Sequence, residues 1–212
     1  MRCLYHLKAE QFKNFVENEL YLDNWMIRAD TIQHRLDMIK DSKKFEILKS
    51  RAKMVCLKFN DTEIVSWFDS MNILYHTLAR ITDKSLLDDL VILQEFCIPF
   101  TNKRADYLLV YENKVMVVEF SFENLGYEFR YETKLRQAIS YKELLGIILP
   151  AGIDVCTYTF MIDPEEDSSG TEVYVDKKGN TSNEYKMDAF SECIETFFNK
   201  YRGLAIGALS KF

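Results

Sequence analysis

The chain has 212 residues, 48% hydrophobic and 28% charged, with a net charge of −6. That length can bury one sizeable core and makes a single domain, 1–212, the default. The negative balance excludes a protein that coats nucleic acid over its whole surface, because phosphate binding needs a concentrated positive field, and it leaves only a local groove.

Three prolines and seven glycines punctuate the sequence, which predicts long, continuous elements. The first sixty residues read as a helical addition. Ala9 to Leu20 carries Phe12, Phe15, Val16 and Leu20 at helical spacing, and Thr31 to Lys58 continues around Ile32, Leu36, Ile39, Phe45, Leu48 and Leu57. Between Arg28 and Asn60, nine basic residues face four acidic ones, which suits either a solvated helical face or a nucleic-acid-facing surface. Asp61 or Thr62 then caps a helix to about Thr82, with Ile64, Trp67, Met71, Leu74, Leu78 and Ile81 recurring every three or four positions.

The period changes at Leu90–Ile98, followed by Arg104–Tyr111 and Val115–Ser121 around the turn Glu112-Asn113-Lys114, so three strands are expected. A helix from about Tyr131 to Leu149 follows, stopped by Pro150 and Gly152, then a strand at Ile153–Ile162. Asp163–Gly170 reads as a loop, Glu172–Val175 as a short strand, and Lys186–Tyr201 as a closing helix. The order is α-β-β-β-α-β, an α/β class with a mixed central sheet flanked by helices. The core spans 61–162, with extra helices over 1–60 and a loop and helix over 163–212.

Cys3, Cys56, Cys97, Cys156 and Cys193 are scattered without zinc-ligand spacing and read as buried thiols. Apolar runs such as Val115–Val118 and Leu144–Leu149 are too short to span a bilayer, and Met1–Leu7 lacks a secretory apolar stretch, so a cytoplasmic protein with no membrane partner is expected. Phe96, Phe100, Phe122, Phe129, Phe197 and Phe198 read mostly as core, with Tyr127 or Phe129 as alternates for stacking on an unpaired base.

Side chains on a strand alternate faces, so Glu119 interrupts an apolar strand on the side that Ser121 shares. Folding the hairpin about Asn113 opposes residues whose numbers sum to about 226, which brings Asp106 beside 119–121. Two carboxylates in contact repel unless they share a proton, a cationic side chain or a metal. Mg²⁺ or Mn²⁺ suits such an oxygen site, since Mg²⁺ takes one or two carboxylates with waters and phosphate oxygens. The alternative is structural, with Asp106 paired to Arg104 or Lys103 and Glu119 to Lys134.

Lys103-Arg104-Ala105-Asp106-Tyr107-Leu108-Leu109-Val110, Val117-Val118-Glu119-Phe120-Ser121 and Gln137-Ala138-Ile139-Ser140-Tyr141 together resemble the PD-(D/E)XK nuclease superfamily, in particular its RecB-like members. Ser66-Trp67-Phe68-Asp69-Ser70 and Gln94-Glu95-Phe96-Cys97-Ile98-Pro99 widen the resemblance, to roughly 63–162, toward the nuclease-like domain that precedes the motor of certain bacterial helicases. The resemblance implies a restriction-endonuclease-like core and metal-dependent hydrolysis of DNA, with RNA as the alternative substrate, in defence, repair or mobile-element biology. It implies Asp106 and Glu119 as metal ligands, Glu63 as an extra ligand in some members, and Gln137 and Tyr141 as supporting residues. Glu63 also reads as an ordinary acid of a first helical turn. No P-loop Gly-Lys-Ser/Thr motif accompanies these motifs, so a separate helicase or other protein is the implied partner, and a homo-oligomer is left open.

One position departs from the pattern. Where the family has lysine this chain has Ser121, whose hydroxyl supplies no positive charge. Lys134 is the substitute, because it shares a helix face with Gln137 and Tyr141; an exposed helix lysine is the plain alternative. Arg136 and Lys142 read as phosphate contacts or solvated surface. The competing function is a catalytically degenerate nuclease fold that binds nucleic acid or a partner protein without cutting.

Overall fold

The computed structural model describes residues 2–20, 25–28, 32–121, 127–161, 172–175 and 184–199. In chain order the elements are β1 (Tyr5–Lys8), α1 (Ala9–Phe15) continued by a π-helical turn at Val16–Leu20, β2 (Trp25–Arg28), α2 (Ile32–Ile39), α3 (Lys43–Met54), α4 (Asp61–Arg80) and α5 (Lys84–Asp89). Then come β3 (Val91–Cys97), β4 (Arg104–Tyr111), β5 (Lys114–Ser121), α6 (Tyr127–Ile148), β6 (Asp154–Met161), β7 (Glu172–Val175) and α7 (Glu184–Asn199). A five-stranded mixed sheet runs β1-β3-β4-β5-β6, flanked by helices. Its first three pairings are antiparallel and β5–β6 is parallel. A parallel pair needs a crossover, which α6 supplies.

Helix α4 starts where Asn60 Oδ1 accepts the Glu63 N–H at 2.9 Å and Glu63 Oε1 accepts the Asn60 N–H at 3.3 Å, a reciprocal cap. From Ile64 to Leu78 nearly every side chain is buried, as expected of a helix enclosed by other elements. One core joins α1, α3, α4 and α7 to Tyr107, Leu109, Met116, Val118 and Phe120; the other joins α6, through Tyr141 and Leu145, to Leu93, Leu108 and Val117. With both its faces covered, β5 is buried at all eight positions. Lys114 anchors the closing helix by donating to the Phe197 and Phe198 carbonyls at 3.1 and 2.7 Å, a cation at a helix C-terminus.

The hairpin closes through Glu112 and Asn113, with Glu112 at φ 51°, as two-residue turns require positive φ. Tyr107 lies opposite Val118 and Tyr111 opposite Lys114, one residue from the register expected.

Several expectations needed correction. The first sixty residues are not purely helical, since Tyr5–Lys8 forms the edge strand of the main sheet and Trp25–Arg28 pairs with β7 in a second, two-stranded sheet. Both are too short to show a period, and their hydrogen-bond partners lie far along the chain. The helix read through Thr31–Lys58 is two helices, because the Ser42 hydroxyl accepts the Phe45 N–H at 3.1 Å and starts a new one. Asn60, not Asp61 or Thr62, caps α4, and α5 was not foreseen. Cys56 is exposed rather than buried, at the left-handed turn that ends α3. Phe100 is fully exposed, whereas Phe96 and Phe198 are core. The Asp163–Gly170 loop, Phe122 and the side chains of Tyr127 and Phe129 lie outside the described residues. No described helix is long and apolar enough to cross a membrane.

Candidate active site

The β4–β5 ladder stops at Tyr107 and Val118, and the next step is made by side chains. The Asp106 N–H donates to Glu119 Oε1 at 3.1 Å, and the Phe120 N–H donates to Asp106 Oδ2 at 2.8 Å. Each carboxylate therefore occupies the place of a strand carbonyl, which locks the two acids side by side. Lys134 of α6 closes the triangle, its Nζ 3.0 Å from Glu119 Oε2 and 3.4 Å from Asp106 Oδ2. Glu119 is 0% exposed, while Asp106 and Lys134 keep about a quarter of their side-chain surface, at 26% and 24%.

Burial, then the neighbouring Asp106 charge, pushes the Glu119 carboxyl up to about 8 against the pull of Lys134. For Lys134 burial opposes the charge, but Asp106 and Glu119 outweigh it and hold the ammonium above its ordinary range. Of the expected structural alternative, one half is met and the other is not. Glu119 does pair with Lys134, but Asp106 takes Lys134 too, rather than Arg104 or Lys103.

Gln137 and Tyr141 share the Lys134 face of α6. Gln137 Nε2 donates to Tyr141 Oη at 2.7 Å, and burial, then Glu119, raises the phenol's pKa. They contact each other, and Gln137 lines a cleft that Asp106 also lines. Ser121 is buried and lines a separate cleft, of about 310 Å³, together with Asp106 and Lys134. Arg136 is exposed and paired with Glu132, so it faces away from the acids' partners; Lys142 is exposed.

Glu95 and Arg104 complete the site and were not assigned to it from the sequence. The β3–β4 register runs Gln94 opposite Tyr107 and Phe96 opposite Ala105, so Glu95 falls opposite Asp106. Its φ of 53° breaks that rung. Strain of this kind in a non-glycine residue persists only where surrounding contacts hold it. Arg104 provides them: its guanidinium pairs with Glu95 and with Glu63, and its Nη1 donates to the Lys58 carbonyl at 2.8 Å. Glu95 is 4% exposed, and burial followed by the Asp106 charge raises its carboxyl well above the usual range despite Arg104. The criterion that singled out Glu119, an acid inside an apolar strand, applies equally to Glu95 in Val91–Cys97.

Glu63 lines the same cleft, with one oxygen in the α4 cap and the other on Arg104. Glu95, Asp106 and Glu119 thus form a row across three adjacent strands, with Arg104 and Lys134 at its two sides. Among the described residues no cluster of three or more His, Cys, Asp or Glu is placed to hold one ion. The donor set is the Asp106–Glu119 pair, which suits an Mg²⁺ that retains waters and takes phosphate oxygens, and does not suit an all-protein cage.

Within the basic stretch before Asn60, Arg35 pairs with buried Asp69, Lys40 with Asp37 and Lys49 with Asp61, while Lys43, Lys53 and Lys58 have no carboxylate partner among the described residues. No model of a known protein family matches this chain, and neither a curated protein nor a solved structure matches it, so the site is interpreted from its own geometry.

Proposed function

We propose that the chain is a metal-dependent nuclease of the PD-(D/E)XK type, hydrolysing phosphodiester bonds in DNA. The observation that carries this reading is the convergence of Lys134 on the Asp106–Glu119 pair, at 3.4 and 3.0 Å. Apart from the short α5 inserted after α4, the element order α4-β3-β4-β5-α6-β6 is the one expected of a restriction-endonuclease-like core, and it supports the same reading.

Asp106 and Glu119 would hold Mg²⁺ or Mn²⁺, which supplies a water of lowered pKa and charge for the scissile phosphate. Glu63 could join only after leaving Arg104. Lys134 is the family lysine moved from the strand to the helix. Its ammonium, held charged by two carboxylates, sits where negative charge would develop, a role Ser121 cannot fill. Gln137 fixes the Tyr141 hydroxyl beside the site. DNA is the substrate that the reading favours, in defence, repair or mobile-element biology, with a separate helicase as a natural partner.

A non-cleaving nucleic-acid or protein binder is the second reading. What favours it is that both carboxylates are already satisfied by backbone N–H groups and Lys134. Two measurements decide. Calorimetric titration with Mn²⁺ should show binding that Asp106→Ala abolishes; no binding would remove both metal roles. Incubating single- and double-stranded DNA with Mn²⁺ should give products from wild type and none from Glu119→Ala, whereas equal inertness at high protein concentration leaves the binder.

A further inference from the structure

Asp106 and Arg104 line a second cleft as well as the first. This one, about 670 Å³, adds Arg2, Lys58, Lys103, Asn102 and Gln137. Arg2, Lys58 and Lys103 are exposed, and among the described residues none of the three is paired with a carboxylate. Other cations either sit in ion pairs, as in Lys8–Asp89, Lys40–Asp37, Lys49–Asp61, Arg80–Asp188 and Arg136–Glu132, or, like Lys43, Lys53, Lys84 and Lys142, lack a carboxylate partner among the described residues without lining this cleft. In a chain of net charge −6, uncompensated positive charge is gathered beside the acid row. The track extends further, because a neighbouring cleft shares Arg2 and Cys56 and adds His6 and Arg51.

The rim is the β3–β4 connection. Ile98 and Lys103 close it through an N–H···O bond of 3.0 Å, the Thr101 N–H donates to the Ile98 carbonyl at 3.3 Å, and the Lys103 N–H donates to Thr101 Oγ1 at 3.0 Å. This braced loop holds Phe100 at φ 61° with its side chain fully exposed, 101%, the most exposed large apolar side chain among the described residues. Its neighbours Thr101, Asn102 and Lys103 face the cleft. A solvated aromatic on a hydrogen-bonded loop whose next three residues line a cationic cleft is the pairing that reads an unstacked base, with sequence-tolerant stacking on the ring and phosphate contacts beside it.

We infer that this cleft is the path of an unpaired nucleic-acid strand, its phosphates on Arg2, Lys58 and Lys103 and one base stacked on Phe100. A duplex hides its base faces, so the aromatic selects a single strand or a splayed end. The inference deepens the nuclease reading and rests on it for the delivery of a phosphate to Asp106.

The test measures anisotropy in EDTA with a labelled oligo-dT of about 12 nucleotides, a length near the usual single-strand site sizes. An oligo-rU, an abasic strand and a duplex of the same length complete the set. Phe100→Ala should weaken oligo-dT binding about tenfold and leave abasic binding unchanged, and Phe100→Trp should restore it. Lys58→Gln with Lys103→Gln should lower the slope of log affinity against log salt by about 1.4. Comparable dT and rU binding fits stacking, and a preference for either identifies the natural strand. The inference is overturned if Phe100→Ala binds oligo-dT like wild type, if the duplex binds tighter, or if an acidic peptide competes better than either oligonucleotide. Cleavage is scored separately with Mn²⁺. Phe100-dependent binding without cleavage keeps the strand path and removes the nuclease; cleavage indifferent to Phe100→Ala, Lys58→Gln and Lys103→Gln does the reverse.

Discussion

Arg104 and Lys134 hold the two sides of one row of acids, and they hold them in different ways. Arg104 is a planar fork always charged at accessible pH, and it engages Glu63, Glu95 and the Lys58 carbonyl together. Lys134 offers one compact ammonium to Asp106 and Glu119 from a helix across the cleft. The first cluster ties the N-terminus of α4 to β3 and β4, and its partners would be stranded if it left. The second bridges two carboxylates that the backbone already fixes, so a divalent cation could take over part of its role. Similar charges at one end of neighbouring strands thus serve different ends: the guanidinium side is scaffold, and the ammonium side is the one the proposed chemistry would use.

The largest expected effect would break that division outright. Lys134→Ala should reduce Mn²⁺-dependent cleavage by at least about a hundredfold, with calorimetric Mn²⁺ binding near that of wild type, because a phosphate-facing lysine is not a ligand. Wild-type turnover would remove Lys134 from the chemistry. Next, Arg104→Met should cost about 3 kcal/mol in denaturant unfolding, since it leaves Glu95 buried beside Asp106 without its cation. Lys134→Met should cost clearly less, because Asp106 and Glu119 each keep a backbone N–H donor. Equal costs would erase the contrast.

The pH response sharpens it further. A carboxyl raised from 4.5 to about 8 favours the folded state most fully below its ordinary value and loses that contribution as pH rises through 8. Lys134 is raised above 10.5, so its own contribution changes only at higher pH. Between pH 5 and 8 the melting temperature of wild type should therefore fall by a few degrees relative to Glu119→Gln. Mn²⁺ should stabilise wild type more as pH rises, because the ion requires the ionised carboxylate. A flat difference across the window would place Glu119 permanently ionised against Lys134. The smallest effect is Asn60→Ala, expected to cost about 1 kcal/mol through the lost cap while leaving Mn²⁺ affinity unchanged.

Much of this arrangement was legible in the residues. Asp106 and Glu119 could be paired because a hairpin turn fixes register, and strand alternation fixes facing. Lys134, Gln137 and Tyr141 could be grouped because helical spacing puts them on one face. Glu95 was passed over although it interrupts an apolar strand as Glu119 does, since the reading followed a motif rather than the rule that explains it. Arg104 was weighed only as a partner for its strand neighbour Asp106, whereas its guanidinium turns to Glu63 from another element. Strands β1 and β2 escaped because four residues carry no usable period, and their partners lie far away at β3 and β7. The basic stretch could only be counted along the chain, whereas the fold shows which of its charges are compensated: Asp69 and Asp61, beyond its end, pair with Arg35 and Lys49, and Lys58 lines the cleft beside Asp106.

By itself the sequence determined what local geometry dictates: the period of each long element, the hairpin that joins two acids, and the helix face that carries lysine, glutamine and tyrosine. Only the tertiary structure decided which cation meets which acid, that Glu95 completes the row, and that Phe100 faces solvent beside a cationic cleft. The physical reason is range. Dihedral preferences and side-chain alternation act over a few residues and are written in order along the chain, whereas ion pairing and exposure depend on distances that exist only once β3, α4 and α6 are packed against the same sheet.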